Sequence, residues 1–283
     1  MKKIVLMASL SALCVTGVLA EPPAVSVPQK QKQAVALKNL DFKTVMMAFY
    51  QHKIRHVVIP ELDAEKVQYV GSEADDIDTV LIFYPAEKYI NAVGKERYVL
   101  TVSEMGVDKG RKEIIYCGAC AVQTDVYLFS KTAQGQYQLV SQSAGENSWA
   151  SSGYNIRPYE PKAMVRQLKL IGPEVKGYIE EDEFGLQGYS TTTLFIAPFD
   201  ERPELKMDQI AEIRADDSAT GADDTYAFEG QYRFLNSVHD GLYDIEIKYQ
   251  GTQRADESRK IVPMNETRVY HYNAKQQKYI QVK

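Results

Sequence analysis

Two cysteines separated by two residues form the most specific chemical motif of the chain. Cys117 and Cys120 flank Gly118-Ala119. Thiol oxidoreductases use this spacing at the start of a helix, where backbone amides lower the pKa of the first thiol. Here the residues that follow, 121–127, alternate polar and apolar side chains, which is typical of a strand. The motif is therefore predicted to form a structural disulfide, and a redox-active pair is the alternative.

Four neighbouring aspartates form the second candidate site. Asp216 and Asp217 precede a short polar stretch, and Asp223 and Asp224 follow it. Calcium takes several carboxylate oxygens from one loop, so this cluster is a candidate calcium site. In a calcium loop counted from Asp216, however, Ala227 would occupy the position of the bidentate glutamate. We prefer the interpretation that these aspartates are solvent-exposed loop residues. No cofactor other than calcium is considered a candidate.

His52 and His56 have the spacing that places two imidazoles on one face of a helix. Zinc hydrolases carry a glutamate after the first histidine, whereas this chain has Lys53 there. Lys53 and Arg55 also repel a cation, so both histidines are predicted to be surface residues. The chain has no Gly-X-Ser-X-Gly nucleophile motif. A hydrolase with dispersed carboxylates is still an alternative, because such pairs leave no local signature.

Residues 1–20 have the three parts of a bacterial secretory signal peptide. Two lysines follow Met1, an apolar run comes next, and Ala20 ends the segment before Glu21. We predict cleavage between Ala20 and Glu21 and a periplasmic location in a Gram-negative-type bacterium, with secretion as the alternative. The apolar run is shorter than the about 20 residues of a membrane helix, so the mature chain is expected to lack a transmembrane segment.

Removal of this signal peptide, the leader, changes the net charge of the chain and the number of its cysteines. The chain has 33 basic and 38 acidic side chains, and two lysines but no acid lie in the leader. The mature chain therefore keeps 31 basic and 38 acidic residues, a net charge of −7. A surface of this sign disfavours nucleic acid as a partner and favours a basic protein. Cys14 also leaves, so one even pair of cysteines remains, as in exported disulfide proteins.

β-strand patterns dominate the chain after residue 70. Residues 242–249 alternate apolar with charged side chains, which predicts one face in the core and the other in solvent. Residues 125–140 and 268–282 each combine an aromatic strand, a polar turn and a return strand that opens on tyrosine. Both are predicted hairpins, and their shared plan indicates either two related halves or a generic hairpin pattern. The predicted fold is mainly β, with antiparallel sheets in a sandwich-like arrangement or in two related β halves.

Composition suggests the remaining boundaries. Three prolines and no apolar periodicity in residues 21–34 predict a flexible linker. Loosely helical spacing of apolar residues predicts a short helical segment in residues 35–70, with Asp41 as an N-terminal cap. The first β half is placed at residues 71–175 and the second at residues 176–283.

Several short motifs resemble those of a group of uncharacterised exported bacterial proteins with a Cys-X-Ala-Cys hairpin. The motifs are Tyr116-Cys117-Gly118-Ala119-Cys120, Val126-Tyr127-Leu128-Phe129, Gly188-Tyr189 and Gly241-Leu242-Tyr243-Asp244. The resemblance implies export and a β-rich fold, and it implies no particular activity.

The sequence favours a non-enzymatic binding or inhibitory protein. The reasons are the predicted export, the predicted disulfide-bonded turn, the many tyrosines and the lack of a catalytic motif. An envelope-protective or immunity-type factor that binds a protein partner in the periplasm is the leading hypothesis. A periplasmic thiol oxidoreductase or hydrolase is the enzymatic alternative. A structural component of envelope assembly is the third hypothesis.

Intact-mass spectrometry of the exported protein tests both the leader and the disulfide. We expect a chain that begins at Glu21 and that takes up no alkylating reagent until Cys117 and Cys120 are reduced, because a structural disulfide leaves no free thiol. Rapid reduction by mild reductant, together with insulin-reducing activity, would instead identify a redox-active pair.

Overall fold

Two antiparallel sheets account for most of the described chain, one from each half of the sequence. They are seen in a computed structural model, which describes residues 35–74, 77–115, 121–145, 148–152, 158–221, 224–255 and 260–282. The prediction of a mainly β, antiparallel fold is confirmed. The predicted signal peptide, linker and disulfide pair lie outside the described residues.

The N-terminal sheet has nine strands in the described residues. They are β1 Ala36–Leu37, β2 Ile54–Arg55, β3 Gln68–Ala74, β4 Ile77–Ile90, β5 Glu96–Asp108, β6 Glu113–Ile114, β7 Ala121–Lys131, β8 Tyr137–Ser143 and β9 Trp149–Ser152. Their spatial order is β1-β8-β7-β5-β4-β3-β2, with β6 beside β5 and β9 beside β7. Strands β7 and β8 form the first of the two predicted hairpins.

Helices α1 Phe42–Phe49 and α2 Pro60–Glu65 lie within the predicted helical segment. Asp41 caps α1 as predicted, because its carboxylate accepts the N–H of Thr44 at 2.7 Å. A third helix, α3 Pro161–Gln167, was not predicted and lies between the two sheets in sequence. None of the described helices is long and apolar enough to span a membrane.

The C-terminal sheet has eight described strands, and their spatial order is the same as their order in the sequence. They are β10 Lys169–Leu170, β11 Lys176–Leu186, β12 Tyr189–Pro198, β13 Asp208–Asp216, β14 Ala227–His239, β15 Leu242–Arg254, β16 Ile261–Asn273 and β17 Lys278–Gln281. Strands β16 and β17 form the second predicted hairpin. The sheet is a meander, in which each strand pairs with the next one along the chain.

A shared apolar cluster joins the two sheets. The rings of Trp149, from the N-terminal sheet, and Tyr178, from the C-terminal sheet, stack with centroids 5.8 Å apart. Beside this cluster Arg97 donates to Glu201 across the sheets, with 2.7 Å between Nε and Oε1. Met164 of α3 packs in the same cluster and is 1% exposed, so α3 closes the core that the two sheets form.

Strand β15 shows how alternation divides the C-terminal sheet. Ile245, Ile247 and Tyr249 lie in the core cluster, and Lys248 on the other face is exposed, as the period-two pattern predicts. Asp244 is the exception, because it falls on the predicted solvent face yet is only 1% exposed. This buried acid marks a feature that the sequence pattern did not reveal.

Candidate functional site

An open groove of about 760 Å³ lies where the C-terminal sheet curls back on itself. Strand β14 pairs with β13 only at residues 214–216, so residues 208–213 of β13 pair with β12 on one side and with no described strand on the other. Strand β17, at the edge of the sheet, approaches this stretch. We call the line between residues 208–213 and β17 the seam.

Side chains hold the seam together. The N–H of Tyr279 on β17 donates to the Asp208 carboxylate at 2.5 Å. The hydroxyl of Tyr249 donates to the backbone carbonyl of Glu212 at 3.0 Å from across the core. Both bonds satisfy backbone groups that a neighbouring strand would otherwise satisfy. The first bond joins the two edges of the seam and the second ties β13 to β15, and neither forms a continuous ladder, which leaves the groove open.

Aromatic and aliphatic side chains line the floor of the groove. Phe228 comes from β14 and Met264 and Tyr270 from β16, and Ile210 and Tyr279 come from the two sides of the seam. The volume falls within the range of about 300–1,000 Å³ that is usual for binding pockets. Met264, Tyr270, Ile210 and Tyr279 are buried, so Phe228 is the member of this set that is partly exposed to a ligand.

The charged side chains that line this groove are mainly basic. Arg254, Arg268 and Lys278 contribute to it, against the single acid Glu212. Arg268 pairs with Glu266 at 2.5 Å and lies over the Tyr249 ring, 4.7 Å from its centroid. Arg254 likewise pairs with Asp217 and Asp224, so among the described lining residues Lys278 supplies the positive charge that no carboxylate matches.

Lys278 is the most available of these cations. It is exposed and makes no ion pair within 4.0 Å to any described residue. It follows the β16–β17 turn and stands beside Tyr279, at the seam. A bound carboxylate could pair with its ammonium group without displacing another acid.

The aspartates proposed for calcium stand beside the same groove. The Asp217 carboxylate, fully buried, accepts from Arg254 Nη2 at 2.8 Å and from the N–H of Tyr226 at 2.6 Å. Asp224 lies 3.6 Å from the same guanidinium, and Asp216 accepts the N–H of Ser218. Asp223 lies outside the described residues. In the part that the structure describes, an arginine supplies the positive charge next to Asp217 and Asp224.

The remaining predicted site residues are dispersed. His52 lies in a turn and His56 follows β2, and both are exposed, as predicted. The predicted cleavage site, Ala20 and Glu21, lies outside the described residues. Cys117 and Cys120 do so as well, between β6 and β7.

A second cluster brings together two histidines and the buried acid of β15. His239 Nδ1 lies 2.6 Å from Asp244 Oδ1, and His271 Nε2 lies 3.5 Å from Asp244 Oδ2. The two imidazole rings stack with centroids 3.7 Å apart and planes inclined by 11°. The three residues form the one group of candidate metal ligands among the described residues.

Hairpin geometry positions this second cluster. Asp240 and Gly241 form the β14–β15 turn with φ of 50° and 88°, the left-handed values that a tight hairpin of type I′ requires. The Asp240 carboxylate accepts the N–H of Ala274, which ties this turn to the β16–β17 turn. Ile245 pairs with Tyr270, so the residues next to them, Asp244 and His271, are cross-strand neighbours. Sequence reasoning missed this cluster because register brings its members together.

No family model, no curated protein and no solved structure matches the chain.

Substitution of Asp208 tests the seam through its pH dependence. Burial raises the pKa of the Asp208 carboxyl to about 6, against the opposing effects of the Tyr279 N–H and of Lys278. The folded state then holds this proton more tightly than the unfolded state does. This contribution to stability is full below pH 3.8 and is lost as the pH rises to about 6.

We expect Asp208→Asn to lack this loss, because an amide does not ionise. Its free energy of unfolding relative to wild type should rise by about 1 to 2 kcal/mol between pH 4 and pH 7, after allowance for partial solvent screening. Urea unfolding at several pH values measures the difference. Asp216→Asn is the matched control, since the Ser218 N–H lowers the pKa of Asp216 and the trend should have the opposite sign. A difference for Asp208→Asn that is independent of pH would contradict the account.

Proposed function

We propose that the protein is an exported, non-enzymatic binding protein that holds an extended acidic segment of a protein partner in the seam groove. Its role would be to occupy that partner, as an inhibitory, immunity-type or envelope-protective factor does. The periplasm is the proposed location, following the signal peptide predicted at residues 1–20.

The basic rim over an apolar floor is the observation that carries this proposal. Charge along the groove selects an acidic segment, although the net charge of the whole chain alone favours a basic partner. Apolar side chains of that segment would cover the partly exposed ring of Phe228, beside the buried Met264 and Tyr270.

An extended segment suits the groove because of the exposed strand edge. Residues 210–213 of β13 form no backbone ladder with a described strand on the groove side, where β17 approaches without pairing. A peptide backbone beside them can pair with this edge and replace the Tyr249 hydroxyl at the Glu212 carbonyl, as in other cases of strand addition. A strand also presents alternate side chains to the same surface, so one face can bring apolar groups to the floor while acidic groups meet the rim.

The proposal is tested with a labelled, terminally blocked peptide of alternating glutamate and valine. We expect it to bind the exported chain, to dissociate as salt is added, and to bind Lys278→Glu about tenfold more weakly, because an attractive charge becomes a repulsive one. Fluorescence anisotropy gives the dissociation constants.

Lys95→Glu is the matched control for this measurement. Lys95 is an exposed lysine in the β4–β5 turn and does not line the groove, so the same reversal there should leave the affinity unchanged. A peptide of alternating lysine and valine should not bind. Equal binding of the two peptides, or equal effects of the two lysine substitutions, would contradict the proposal.

A further inference from the structure

We propose that His239, Asp244 and His271 bind one divalent transition-metal ion of the zinc type. Zinc sites with an exchangeable position use three protein ligands, commonly imidazole nitrogens and a carboxylate, with water as the fourth ligand. These three side chains supply that set from strands β14, β15 and β16. None of them lines the seam groove, so this site is independent of the proposed peptide binding.

The spacing of the ligand atoms fits a tetrahedral ion after a small adjustment. The three ligand atoms lie within 4.8 Å of one another. Zinc with bonds of about 2.0–2.2 Å holds neighbouring ligand atoms about 3.4 Å apart. His271 Nε2 already lies 3.5 Å from Asp244 Oδ2, whereas His239 Nδ1 lies 2.6 Å from Oδ1. An ion held by Oδ2 and His271 Nε2 would replace the hydrogen bond between His239 and Oδ1, and rotation of the exposed His239 ring allows Nδ1 to turn towards the ion.

The buried Asp244 carboxylate favours the binding of a cation at this site. The Asp244 side chain is 2% exposed, and a buried negative charge costs free energy unless a positive charge or several hydrogen bonds compensate it. In the described part of the chain its ion-pair partners are the two histidines, with no lysine or arginine within 4.0 Å. A neutral imidazole can donate a hydrogen bond but brings no charge, whereas a divalent ion supplies it.

Contacts outside the ligand set hold the carboxylate in place. The Ser237 hydroxyl donates to Asp244 Oδ2 at 2.5 Å, which is the kind of outer contact that orients a metal ligand. The backbone on the other side is also fixed, because the N–H of Tyr243 donates to the carbonyl of Ile171 at 2.8 Å. The acid is therefore held in one orientation before an ion arrives.

Solvent reaches the site through the histidines. The side chains of His239 and His271 are 46% and 33% exposed, whereas Asp244 lies beneath them. An ion can enter from water without opening the sheet, and the open side leaves room for a water ligand. These features describe an exchangeable site rather than one closed on all sides.

The test is a titration of the exported chain with Zn²⁺ in competition with a chromophoric chelator. We expect one zinc ion per chain at the site and an affinity that falls at least about 100-fold in His239→Ala/His271→Ala, which removes two of three ligands. Ser237→Ala should weaken binding about tenfold because it releases the carboxylate. Zinc should also raise the thermal midpoint of the wild type and not that of the double variant.

His52→Ala/His56→Ala is the matched control, because it removes the other two of the four histidines. It should bind zinc as the wild type does. Both double variants keep Cys117 and Cys120, so zinc held by thiols would persist in both. Circular dichroism verifies that each variant is folded. Absence of zinc binding by the wild type, or equal zinc affinity in the two double variants, would overturn the proposal.

Discussion

The incomplete closure of the C-terminal sheet determines where its functional surfaces lie. Twist brings the edge strand β17 towards β13, but β14 leaves β13 after only three paired residues. In the described chain no ladder joins the two edges. The Asp208 carboxylate accepts the N–H of Tyr279 there, and the Tyr249 hydroxyl of β15 donates to the Glu212 carbonyl. A fully laddered seam would leave no groove, and a seam without these bonds would expose the core to water.

The same strands separate two kinds of surface. Their inner face provides the apolar floor of the groove, and the basic residues Arg254, Arg268 and Lys278 stand around it. Their outer face carries Asp244 beneath His239 and His271. Period-two alternation accounts for this division, because neighbouring residues on β16, such as Tyr270 and His271, point to opposite faces. One hairpin can therefore contribute to two independent sites.

Sequence patterns predicted the features that depend on local periodicity. Strand β15, with its alternation over residues 242–249, and the hairpins at 125–140 and 268–282 each depend on residues that are close together in the sequence. The same holds for the cap of α1, because Asp41 contacts a residue three positions along the chain. Helix α3 was missed because its seven residues are too few to establish a helical period.

The two candidate sites could not be predicted in this way, since each depends on distant residues. Asp244 and His271 become neighbours through the β15–β16 register, and the same alternation that identified β15 assigned Asp244 to solvent. The groove depends on where β14 leaves β13, a departure that no residue of either strand signals in the sequence. Among the histidines, spacing along the chain singled out the pair His52 and His56, which was predicted to lie on the surface and is exposed.

Backbone amide hydrogen exchange, measured with and without the acidic peptide, tests the central claim that a partner segment occupies the seam. We expect slower exchange in residues 210–213 of β13, which form no ladder with a described strand on the groove side, because a bound backbone would pair with them there. Unchanged exchange in these residues, with slowing confined to other parts of the chain, would contradict it.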